Sequence, residues 1–186
     1  MKKILFNDNF LLTKAVLEGR KTQTRRIVPQ SIIEKYALLE DFTIIEAKYD
    51  VGEVVAVAQA YRDCGGLDEK GIPRWNIIGQ VAGATNAGWH NKMFVRADLM
   101  LHQIRITDVR VERLQDISDE DCLKEGVRKV VNENGIYVQY YVGKGDNACS
   151  FENPREAFAH LINKVSRKDV WSLNPYVFVY DFELVK

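Results

Sequence analysis

The run Gly19-Arg20-Lys21-Thr22-Gln23-Thr24-Arg25-Arg26 sets a boundary that any fold of this chain must respect. In front of it, Asn9 to Glu18 places Leu12, Ala15 and Val16 at helical spacing. Asn9 is suited to cap that helix, and Gly19 to end it in the left-handed conformation. Behind the glycine the chain must run extended while carrying four cations, two threonines and a glutamine. A strand puts Thr24 and Arg26 on one face and Gln23 and Arg25 on the other. Lys21 leaves from the turn, so it meets Thr24 only where the turn or a bulge redirects it. By default such a run is a solvated face, favoured by the negative end of the helix dipole.

The rest of the pattern is strand-rich. Strands are expected at Lys3–Phe6, at Glu53–Ala58 (apolar on both faces), from His102 through Val111, and at Tyr176–Leu184. The third of these slips phase at Asp108, which predicts a β-bulge. Asn134-Gly135 between two apolar runs predicts a hairpin with a type I′ turn. Ser118-x-x-Asp121 opens a short helix that stops at Gly126. Glu125 then sits in its last turn, where a carboxylate opposes the dipole unless a cation lies close. Asn153 caps a later helix with Pro154 at its first position and an apolar face of Ala157, Phe158, Leu161, Ile162 and Val165. Between about residues 61 and 92 six glycines and a proline break every period. Tyr61, Trp75 and Trp89 in this loop either stack on a base or fold back on the core. The expected architecture is a single α+β domain over residues 1–186, built on a mostly antiparallel, partly closed β-barrel with flanking helices.

Charge narrows the partners. Twenty-six cations balance 26 anions, so a nucleic acid would have to be held by a local patch rather than by net charge. That patch is Arg20 to Arg26, extended by Lys92 and Arg96. Hydrophobic residues make up 46%, enough for a packed core. Cys64, Cys122 and Cys149 are odd in number and lack Cys-x-x-Cys spacing, which suits free thiols in a reducing compartment. The opening Met1–Asp8 lacks the apolar stretch of a signal peptide, and no apolar run spans a bilayer, so a cytoplasmic location without membrane contact is expected. His90, His102 and His160 show no metal-ligand spacing, and neither a phosphate-binding glycine loop nor a nucleophile elbow is present. No metal or cofactor is expected.

Gly19-Arg20-Lys21-Thr22-x-Thr24-x-Arg26 resembles the Gly-x-Lys-x-x-[Thr/Glu]-x-Arg signature of the ASCH domain family, whose members share the PUA-like β-barrel. Val51-Gly52-Glu53-Val54-Val55 is similar to that family's strand entry. Ile106–Ile117 followed by Glu125-Gly126-Val127 resembles a block of its phage and prophage members, as does Trp171-x-x-Asn174-Pro175 through Phe182. The resemblance implies a nucleotide- or RNA-binding domain whose basic cleft takes a modified nucleoside or RNA, with Arg20, Arg25, Arg26, Arg96 and Trp89 as binding residues. It also implies an alternative, an amidohydrolase acting on N(4)-acetylcytidine-like substrates. In that alternative Thr24 attacks the acyl carbonyl, Lys21 accepts its proton, and Glu125 serves as acid or orienter. The chain departs from the family at Ala58-Gln59-Ala60, where phage-type members carry a charged pair, and this ranks binding ahead of hydrolysis. A structural prophage protein is the third expectation.

Overall fold

The computed structural model describes residues 1–36, 46–64, 87–145 and 148–185. The described strands are β1 (Lys3–Ile4), β2 (Gln23–Ile27), β3 (Val54–Val57), β4 (Gln103–Arg113), β5 (Arg128–Val131), β6 (Val138–Val142), β7 (Cys149–Phe151) and β8 (Tyr176–Leu184). The described α-helices are α1 (Leu12–Leu17), α2 (Gln30–Tyr36), α3 (Asp119–Lys124), α4 (Pro154–Ser166) and α5 (Val170–Leu173). The residues group into two compact units, one of Met1–Phe6, Val54–Arg105 and Leu184–Lys186, the other of Asn7–Glu53 and Ile106–Glu183.

In the first unit β1 lies parallel to β3, which pairs antiparallel with the start of β4. Val55, Ala56, Val57 and Ala58 are buried, as expected of a run apolar on both faces. Ala56, Ala58, Tyr61, Cys64, Val95 and Met100 form its core, and Trp89 packs against them. Trp89 therefore takes the fold-back role, whereas Trp75 lies outside the described residues. The Lys3 ammonium donates to the carbonyls of Met93 (2.7 Å) and Val95 (2.6 Å), and that of Lys92 donates to the Phe6 carbonyl. Arg96 pairs with Asp98 while its backbone N–H donates to the Tyr61 hydroxyl. Burial pushes the Cys64 thiol up to about 11.

In the second unit β2 pairs antiparallel with β8 over Gln23↔Asp181 to Ile27↔Val177, within the strand order β4-β8-β2. A second sheet has the order β5-β6-β7, with both pairs antiparallel. The architecture is mixed α+β, and neither strand order closes on itself among the described residues.

Two local expectations change. The first helix is divided: a 3₁₀ turn at Asp8–Phe10 is capped by the Asn7 side chain, and Leu11 at φ 58° bends the chain into α1. Asn7 wins over Asn9 because its carbonyl oxygen accepts the Asn9 N–H at 2.9 Å. Gly19 ends α1 at φ 71°, as expected. The hairpin turn is wider than type I′, since Gly135 has positive φ but Asn134 does not. Instead Gly135 N–H returns to the Asn132 carbonyl, and the Asn132 side chain accepts from Ile136 and Tyr137 N–H. On β4 the burial slips phase: Ile104 and Ile106 are buried, Thr107 and Asp108 are both exposed, and Val109 is buried. The slip puts Asp108, Arg110 and Glu112 on one face.

Candidate functional site

Lys21 and Glu125, 104 residues apart, meet in the second unit. The approach is fixed by backbone. The N–H groups of Arg20 and Lys21 both donate to the Ala15 carbonyl at the end of α1, and Thr22 N–H donates to the Lys124 carbonyl at the end of α3. Ser118 caps α3 by accepting the Asp121 N–H at 3.1 Å. Gly126 stops it at φ 107°. This places Glu125 where a carboxylate opposes the helix dipole, and the Lys21 ammonium answers that charge.

The ammonium donates to the Gln23 carbonyl (2.6 Å), the Glu125 carbonyl (2.8 Å) and Glu125 Oε2 (2.6 Å). Three acceptors match the three protons of the charged form. Lys21 is 2% and Glu125 5% exposed. Burial, with the Arg26 and Arg25 charges, holds the Lys21 pKa below its ordinary value, and the Glu125 carboxylate offsets part of that shift.

Arg25 completes the cluster, its side chain wholly buried. Its Nε and Nη2 donate to Glu112 Oε1 at 3.0 and 2.7 Å. Nη2 also reaches Asp121 (3.2 Å), and Nη1 reaches Glu125 Oε1 (3.2 Å) and the Gln23 side-chain oxygen. Gln23 in turn donates to Asp181 at 2.7 Å. Arg110, on the β4 face created by the phase slip, pairs with Asp181 and lies 3.4 Å from Asp121 and 3.3 Å from Glu112. The charges compensate within a few ångströms, which is the condition for holding them out of water.

Among the expected site residues, Lys21, Arg25 and Glu125 come together in this network. The sequence reading missed Gln23, Arg110, Glu112, Asp121 and Asp181 as its other members. Alternation on β2 puts Thr24 on the opposite face, opposite Tyr180, with Arg26 opposite Phe178. Arg20 is exposed and pairs with Glu18 at 2.7 Å. Arg96 and Trp89 belong to the first unit. Among the described residues no cluster of histidine, cysteine, aspartate and glutamate is placed to hold a metal. No described helix is long and apolar enough to cross a membrane.

The Thr24–Arg26 face carries a different chemistry. Thr24 is buried and Arg26 exposed. Tyr180 lies edge-on to Tyr49, with ring centres 5.3 Å apart, and its hydroxyl accepts the Lys48 N–H at 3.0 Å. Burial pushes the Tyr49 phenol up to about 12, against the nearby Arg26 charge. The phenol thus stays a hydrogen-bond donor at neutral pH.

Two expected results check the network. An alanine Cβ at Gly126 would sit 3.0 Å from Leu12 Cδ2 and 3.6 Å from Lys21 Cδ, in a backbone conformation side chains rarely adopt. Gly126→Ala should cost about 1–3 kcal/mol, read as a lower urea midpoint. The second concerns acid. Burial raises the Asp121 pKa, but hydrogen bonds and charge from Lys124 and Arg25 outweigh it and hold the carboxyl below its usual range. A carboxylate with a lowered native pKa binds fewer protons folded than unfolded. Its stabilisation is therefore present above about pH 4 and is lost as pH falls through the native pKa. Asp121→Asn should flatten the loss of stability below pH 4, measured by urea unfolding at pH 7 and pH 3.

No family model matches the chain, and no curated protein matches it. Solved structures do. A DUF984 protein from Enterococcus faecalis V583 is similar at 16% identity and TM-score 0.43, covering 100% of this chain and 77% of that one. An ASCH domain from Lactobacillus crispatus JV V101 is similar at 14% identity and TM-score 0.40, covering 94% of this chain and 70% of that one. The second bears the family name that the Gly19–Arg26 motif resembles. At TM-scores below 0.5, nothing about ligand or activity passes from either to this chain.

Proposed function

We propose that the chain is an ASCH-type, PUA-like domain that binds a nucleotide or RNA through the Thr24–Arg26 face of β2. The observation that carries this reading is the division of labour across that strand. One face, with Gln23 and Arg25, is consumed by internal pairing. The other carries the exposed Arg26 guanidinium over a buried threonine and two buried tyrosines. A guanidinium suits phosphate, and the buried residues beneath it fix the strand that carries it. The Lys21–Glu125–Arg25 network then serves as the rigid backing that sets the strand's position. With no net charge on the chain, the ligand is held locally, which fits a nucleotide or a short single-stranded segment better than a long duplex.

One observation favours the amidohydrolase alternative: Lys21 and Glu125 are in contact. Against it, the Lys21 nitrogen is buried and enclosed by three acceptors of the protein itself, and Thr24 belongs to the other face of its strand.

The test is binding of the four ribonucleoside 5′-monophosphates, followed by calorimetry at low salt. At least one should bind, and Arg26→Ala should weaken it tenfold or more with the melting temperature unchanged. Absence of binding, or binding indifferent to Arg26, overturns the reading. Incubation with N(4)-acetylcytidine runs alongside, and release of cytidine and acetate that disappears in Thr24→Ala would establish the alternative instead.

A further inference from the structure

The second sheet has two unlike faces. Phe151 stacks near His160 of α4, with ring centres 5.3 Å apart, so the face carrying Phe151, its partner Tyr140 and the buried Val142 is the one that α4 covers. Antiparallel registers put Arg128 opposite Tyr141, Val130 opposite Gln139 and Ser150 opposite Tyr141. Those residues, with Tyr137, make up the opposite face. It is open: Tyr137 is 50% and Val130 48% exposed.

The two tyrosines on this face are held in place. Gln139 Nε2 donates to the Tyr137 hydroxyl at 3.1 Å, and the Tyr141 hydroxyl donates to Gln139 Oε1. Same-face neighbours on a strand stand about 7 Å apart. Both hydroxyls therefore reach along β6 toward the glutamine between them. An amide that locks two aromatic rings in this pose spends no effort on the core, since none of the three residues is buried.

Cations flank the rings. Arg128 stands beside Tyr141 and donates to the Gly143 carbonyl at 3.2 Å. It also lines a depression with Arg20, Phe10, Val142 and Leu161 of α4. Lys144 is exposed in the loop after β6, whereas Lys129, opposite Tyr140, stands on the other face; Glu133 is the one acid among described residues 128–145. Stacking planes spaced along a strand beside a guanidinium complement a base-and-phosphate repeat.

We propose that the open face of the β5-β6-β7 sheet is a second contact surface for single-stranded RNA, with Tyr137 and Tyr141 as stacking platforms and Arg128 as a phosphate contact. This rests on the nucleotide- or RNA-binding reading above and names the polymer that would extend from it. Gln139 is a positioning residue that keeps the rings ready before RNA arrives.

The experiment measures fluorescence anisotropy of a labelled mixed-sequence 12-nucleotide single-stranded RNA on the full chain. Wild type, Tyr137→Leu/Tyr141→Leu, Tyr137→Phe/Tyr141→Phe and Arg26→Ala are compared, each with its melting temperature. Losing both rings should weaken RNA at least tenfold per ring, while the phenylalanine pair retains most of the affinity. Mononucleotide binding should not change in the leucine pair. RNA affinity unaffected by the leucine pair overturns the platform even if Arg26→Ala weakens nucleotide binding, and leaves the β2 reading standing. The reverse result supports the platform and overturns the β2 reading. Absence of any RNA or nucleotide binding overturns both. A concentration-dependent dimer, lost in the leucine pair and competing with RNA-free protein only, assigns the face to a second copy of the chain and also overturns the platform.

Discussion

Replacing Lys21 with methionine is expected to destabilise the fold by about 3–5 kcal/mol, the usual cost of stripping one partner from a buried ion pair. Methionine fills most of the volume, so the loss is electrostatic. Glu125 would keep Arg25 at 3.2 Å but lose its closest partner, and its backbone carbonyl would lose the donor that ends α3. The double variant Lys21→Met/Glu125→Met should recover part of that loss, because it removes the stranded carboxylate as well. A thermodynamic cycle from urea unfolding measures the coupling, expected to exceed about 1 kcal/mol for residues in direct contact. Additive single effects would mean that the pair contributes nothing as a pair.

Arg25→Met is the second large effect. It removes a guanidinium that touches Glu112, Asp121 and Glu125 and leaves three carboxylates with one arginine, Arg110, and two lysines to balance them. A loss of about 3–5 kcal/mol is expected, and a steeper dependence of stability on salt. Arg25→Lys is the sharper variant. An ammonium has three protons at one point, whereas Arg25 spreads its donors from Nε to both terminal nitrogens. It keeps the charge and loses the fork, at an expected cost of about 1–3 kcal/mol. Thermal unfolding reads both, with roughly 2–4 °C lost per kcal/mol for a chain of this size.

The sequence exposed the elements more readily than the network. Gly19, Ser118, Gly126, Asn153 and Pro154 do what their chemistry dictates at helix ends, since capping is a local property of one or two residues. The unfavourable place of Glu125 was legible for the same reason, and it correctly required a cation. What one chain read alone could not supply was which strand comes beside which. Gln23 meets Asp181 and Arg25 meets Glu112 across long separations, and strand register is fixed by the folded core. A usable signal existed nonetheless. Asp108, Arg110 and Glu112 alternate with Val109 and Val111, so one face of β4 had to hold charges against something charged. The hairpin turn was misread because Asn-Gly allows a type I′ turn without requiring it, and Asn132 offered the backbone a competing set of hydrogen bonds.

The central claim is that Lys21 is a buried, charged structural group and that ligand chemistry belongs to the other face of its strand. The most direct measurement is brief acetylation of the native protein with an amine-reactive reagent at pH 7.5, followed by peptide mass spectrometry. Lys14 and Lys124 are exposed and should be modified, while Lys21 stays unmodified until the protein is denatured. Modification of Lys21 in the native state, at a rate equal to or above that of Lys14, would show an accessible neutral amine and contradict the account.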